Sequence, residues 1–111
     1  MSLEALWTVA FGTSEGRAGQ GVVIFESGRV FGGDHGYYYL GTYAVGNDRI
    51  NADLHVRRHW RGNHSVFGNR DHFGLHLEGP IGEQQMSVSG YLTDDPSREI
   101  TVYLTRQADL P

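Results

Sequence analysis

Apolar and polar residues alternate along most of this chain with a period of two. A strand requires that period, because successive side chains leave opposite faces of a pleated backbone. The cleanest run is Ile50 to Trp60, where Ile50, Ala52, Leu54 and Val56 face one way and Asn51, Asp53, His55 and Arg57 the other. It predicts a strand with one buried and one wet face. The same alternation recurs from Glu4 to Phe11, with Trp7, Val9 and Phe11 sharing a face, and again through Phe73, Leu75 and Leu77. It returns through Met86, Val88, Gly90 and Leu92, and through Ile100, Val102 and Leu104. Gln20 to Glu26, Arg29 to Phe31 and the aromatic run Tyr37 to Tyr43 complete the set, rich in the β-branched and aromatic residues that suit a pleated surface.

Turn chemistry separates these runs. Ser27-Gly28, Gly46-Asn47-Asp48 and Asp94-Asp95-Pro96 are turn sequences, as are Gly32-Gly33-Asp34-His35-Gly36 and Gly79-Pro80-Ile81-Gly82. Gly12 to Gly19 and Arg61 to Asp71 read as loops, the second with Val66 and Phe67 folding back onto the body. Gly41, inside the aromatic run, predicts a bend or a close backbone approach. About eight short strands without an amphipathic helix predict an all-β domain over 1–111, a meander closed into a barrel or folded as a sandwich. The expected form is a single antiparallel up-and-down eight-stranded barrel, whose interior is filled by side chains or holds one small ligand. Met1, Ser2 and Leu3 carry no weight in this reading.

Composition narrows the chemistry. The 16 glycines exceed the usual share of roughly 7 %, favouring turns over helices. With no cysteine there is neither a thiolate nucleophile nor a cysteine metal site. All nine basic residues are arginine, which excludes Schiff-base and P-loop lysine chemistry. A net charge of −4 argues against nucleic-acid binding. Arg57, Arg58, Arg61 and Arg70 are a local exception, read as solvated or carboxylate-paired. No apolar run reaches the roughly 18 residues of a membrane span, and no signal-like start is present, so the expected compartment is the cytoplasm.

Two clusters invite a chemical reading. His55 and His59, and likewise His72 and His76, share strand faces, and with Asp53 or Asp71 they are conceivable zinc ligands. Neither pair has the spacing typical of a metal site, so no metal and no cofactor is expected. No nucleophile elbow or phosphate loop is present, and the adjacent acids Asp94 and Asp95 read as turn formers. Tyr37, Tyr39 and Tyr43 share one face of the aromatic strand; outward they would form an amphipathic contact patch, inward they would line a cavity.

Several segments resemble the GrlR-type family, small negative regulators of type III secretion and their relatives. They are Leu6-Trp7-Thr8-Val9, Gly19-Gln20-Gly21-Val22-Val23, Gly32-Gly33-Asp34, the tyrosine strand with Gly41, and Val66-Phe67-Gly68-Asn69. Their order is similar across residues 5–107. The resemblance implies a lipocalin-like (calycin) barrel, a homodimer, and contact with a helix-turn-helix transcriptional regulator. Where such regulators carry an acidic loop, this chain has Gly46-Asn47-Asp48-Arg49, with Asp48 the single matching acid.

The expected function is therefore non-enzymatic and regulatory, exerted by protein–protein contact through Tyr37, Tyr39, Tyr43 and Asp48. The alternative is a barrel holding a small hydrophobic ligand, lined by Trp7, Val9, Phe11 and Leu75. A metal enzyme built on His55, His59, His72 and His76 stands third.

Overall fold

The computed structural model describes residues 2–111; Met1 lies outside the described residues. Eight antiparallel strands follow one another around a closed up-and-down barrel. They are β1 (Ala5–Thr13), β2 (Ala18–Glu26), β3 (Arg29–Gly33), β4 (Tyr37–Gly46), β5 (Arg49–Arg58), β6 (His72–Pro80), β7 (Gln85–Leu92) and β8 (Asp95–Ala108). Closure by β1 against β8 leaves no free sheet edge. Among the described residues none is helical, and no helix is long and apolar enough to cross a membrane.

Local sequence explains the tight connections. Ser27 and Gly28 have φ of 51° and 78°, and Asn47 and Asp48 have 54° and 59°. Two successive positive φ values make the two-residue hairpin turn whose twist matches its strands, and Gly, Asn and Asp tolerate that conformation best. The turn expected at Asp94-Asp95-Pro96 falls instead at Thr93-Asp94: Asp95 and Pro96 already belong to β8. Register shifts between Tyr91, opposite Glu99, and Leu92, opposite Asp95, leaving Pro96, Ser97 and Arg98 in a bulge. A proline, lacking an N–H, fits there and not in a regular ladder. Likewise β5 stops at Arg58, short of Trp60, because the His59 and Trp60 N–H groups turn aside to donate to the Gly36 carbonyl.

One end of the barrel is sealed around Trp7, which has no exposed surface. Its Nε1–H donates to the Leu3 carbonyl at 2.9 Å, and Phe25 meets it edge-on at 6.0 Å. The Arg106 guanidinium lies over the indole at 5.7 Å and donates to the Ser2 and Glu4 carbonyls. Leu3, given no weight from sequence, is therefore buried and part of the seal.

The loop after β5 covers the other end. Val66 and Phe67 are buried, and Arg58 anchors the loop from within the rim. Its side chain is 6 % exposed, reaches Asp71 at 3.1 Å, Asn69 Oδ1 at 2.7 Å and the Asn63 carbonyl at 3.2 Å, and stacks 5.7 Å from the Tyr37 ring. Arg70 pairs with Asp94 at 2.6 Å and Arg61 with Asp71 at 3.4 Å. Arg58 is thus a buried clamp, beyond the solvated or paired role expected of that run.

Candidate functional site

Between the sealed end and the covering loop the interior is not filled. A cavity of about 270 Å³ runs along the barrel axis, and its walls are mainly aliphatic and aromatic. Val9, Phe11 and Leu75 line it, as the ligand reading expects. Trp7 does not line it but forms part of the seal beyond its end. Ile50, Val88 and Leu104 continue the apolar wall.

The aromatic strand turns its tyrosines inward. Tyr37 is 2 % and Tyr39 7 % exposed, and Tyr43 is half-buried with its ring 4.9 Å from Phe25. The assignment of Tyr37, Tyr39 and Tyr43 to an outer partner surface is thereby corrected. The β4–β5 register pairs Tyr43 with Ala52 and Tyr39 with Val56, which puts the tyrosines on the core face. Tyr38 and Leu40, at 37 % and 54 % exposure, occupy the outer face instead. Asp48 is exposed in the turn after β4, at the opposite end of that strand from Tyr37.

The cavity has one polar end, built by the turn before β4. Asp34 Oδ1 accepts the Gly36 and Tyr37 N–H groups, each at 2.9 Å, which holds the carboxylate over the barrel mouth. Tyr39 reaches up from β4 and donates its hydroxyl to Asp34 Oδ2. Burial, and then the Asp34 carboxylate, push the Tyr39 pKa far above the ordinary phenol value, so the hydroxyl remains a donor to Asp34. A side chain at Gly21 would press on that hydroxyl at 2.8 Å, so the bare position on β2 leaves room for the pair. His35, Asn63 and His64 surround the mouth, and Trp60 packs edge-on against His35 at 4.6 Å. Asp34 and Tyr39 are residues that no motif singled out as a pair. The signal was Asp34 in a glycine turn, five positions before an inward tyrosine.

The four histidines do not converge. His55 and His72 stack on the outer wall at 5.8 Å, while His59 Nε2 approaches the Asp34 main-chain carbonyl at 3.1 Å. His76 bridges Asp53 at 2.9 Å and Glu78 at 3.1 Å. Among the described residues no group of three or more His, Cys, Asp or Glu side chains is placed to hold a metal. Hydrogen bonds to Asp53 and then Glu78 raise the His76 pKa above its ordinary value. The protonated form is thus favoured in the folded chain. Its stabilisation is full below the ordinary value near about 6.5 and is lost as pH rises through the higher folded value. Both carboxylates are well exposed, so the effect is expected below about 1 kcal/mol. Urea midpoints of wild type and His76→Gln, followed across that window, should converge as pH rises.

The chain is thus a small closed β-barrel with an internal, largely apolar cavity whose polar end lies at the mouth. It is similar to a solved structure described as a redesigned beta barrel, with a TM-score of 0.52 at 15 % identity over 95 % of this chain and 91 % of that one. At that identity the likeness bears on the fold alone. No protein-family model matches the chain, and no curated protein matches it.

Proposed function

We propose that this protein is a non-catalytic barrel that binds a small, mainly apolar molecule in its interior. The observation carrying this reading is the cavity of about 270 Å³, walled by apolar side chains and opening at one polar mouth. A cavity lined by Leu, Ile and Phe side chains stays dry at about 150 Å³ and takes up benzene. The larger space here, close to the lower end of known ligand pockets at about 300 Å³, is suited to a compact ligand. Benzene at saturation should raise the melting temperature by mass action. Val88→Phe, which fills the cavity from β7, should fold with a similar melting temperature and abolish that rise. Absence of any rise in the wild type would reject the reading.

A second reading keeps the protein-contact function, including a dimer and the regulator partner that the GrlR resemblance implies, and moves it to the outer wall. Ile24, Phe31 and Leu40 lie opposite one another across β2, β3 and β4 and make an uncharged row, with Val22 and Tyr38 beside it. A second copy of this chain is the occupant proposed, since the Arg29 guanidinium over the Phe31 ring is paired with Glu26 at 2.6 Å and copies would not repel there. Light scattering should then report a dimer, and Leu40→Asp a folded monomer. A monomeric wild type would reject self-association.

A further inference from the structure

The hydrogen bonds already made at the polar end of the cavity restrict what a ligand can present there. Asp34 Oδ1 already accepts two backbone N–H groups, and Oδ2 accepts one bond from Tyr39. A carboxylate oxygen accepts two bonds, so one site on Oδ2 is left. The Tyr39 hydroxyl has spent its only proton on Asp34, so towards a ligand it too is an acceptor. Both groups line the cavity and both have acceptor capacity only. Among the described residues no arginine or histidine ring lies within 4.0 Å of the Asp34 carboxylate, so its charge has no ion-pair partner. Arg17 lines the outer depression beside residues 62–66 and not the cavity.

Resting on the ligand-binding reading above, we infer that the ligand is an apolar amine, its protonated nitrogen donating to Asp34 and Tyr39 while its hydrocarbon body fills the barrel. Asp34 is partly buried and its carboxylate has no counter-ion among the described residues, and a bound ammonium supplies one through a charge-assisted hydrogen bond. A carboxylate ligand would meet like charge at the same place. His35 and His64 also line the mouth, and His59 Nε2 meets the Asp34 main-chain carbonyl, not the carboxylate.

Octylamine, octanol and octanoate test this at neutral pH, because they share a body and differ in the head. Calorimetric titration should give octylamine an advantage of about tenfold or more over both others. Asp34→Asn keeps an Oδ1 to accept the Gly36 and Tyr37 N–H groups and replaces Oδ2 with an NH₂ donor. It should therefore fold normally, lose octylamine affinity by about tenfold, and change octanol affinity little. Binding of octanol or octanoate as tight as that of octylamine would overturn the amine inference and leave the ligand barrel standing. Equal losses for all three in a folded Asp34→Asn would overturn it too, since the residue would then only shape the mouth. Failure of all three probes, with benzene also inert, would reject both readings.

Discussion

Trp7→Ala should cost about 3–5 kcal/mol, the range for deleting a large buried aromatic, and lower the melting temperature by roughly 20 °C. The loss should be at the upper end, for structural reasons. The indole is completely buried, and its removal opens a void that its rigid neighbours on β1, β2 and β8 are unable to close. Leu3 would lose the donor that holds it at 2.9 Å, and Arg106 would lose the ring beneath its guanidinium. With native stabilities of only about 5–15 kcal/mol, such a loss takes much of the margin. Arg106→Ala should cost distinctly less, because it forfeits hydrogen bonds and stacking but leaves the indole in place. Urea denaturation of both variants decides the matter: equal losses would mean that the seal depends on the arginine rather than on the ring. The prediction also separates stability from binding, since Trp7 lies outside the cavity wall and its role is to close the barrel.

The strand pattern was legible because period two is imposed by the backbone and by a single buried face. It was sharpest on β5, where Ile50, Ala52, Leu54 and Val56 face the core without a break. The orientation of the aromatic strand was harder, since Tyr38 and Leu40 are as apolar as Tyr37 and Tyr39. The information was nevertheless present. A two-residue turn at Asn47-Asp48 pairs Gly46 with Arg49 and, counting back, Tyr43 with Ala52 and Tyr39 with Val56. Combined with the buried face of β5, that register sends the tyrosines inward.

Other features could not be read from spacing. Trp7 and Arg106 meet only when the barrel closes, and Asp34 meets Tyr39 only because the turn folds back over β4. The cavity is a difference between the volume a barrel encloses and the volume its side chains fill. Periodicity names the residues on the inner face, Val9 and Leu75 among them, but is silent on whether they touch across it. Leu3 was missed for a related reason: its partner is an indole nitrogen whose orientation depends on the whole sealed end.

Gly90→Ala should destabilise the protein by about 3 kcal/mol, the top of the usual range for overpacking, and should do so by opening one particular seam. Gly90 faces the interior on β7, opposite Leu77 of β6. A methyl group there would overlap the His76 carbonyl oxygen and lie 3.0 Å from the Leu77 Cα, so it meets backbone and not a side chain that could rotate away. Gly41 on β4 is in the same position against the Asp53 carbonyl, the close backbone approach that is one of the two expectations there. The two sites differ in what surrounds them. β4 and β5 are paired from Tyr37–Arg58 to Gly46–Arg49, whereas β6 and β7 are paired only from Leu75–Leu92 to Glu78–Ser89. A strain at Gly90 therefore falls on the shortest ladder adjoining the cavity, with fewer hydrogen bonds to hold the register. Hydrogen exchange on Gly90→Ala should show amides of β6 and β7 losing protection before those of β4 and β5. Gly41→Ala should show a stability loss without that local opening. Uniform loss of protection in Gly90→Ala would mean that the barrel opens as one unit, and that no seam is weaker than the rest.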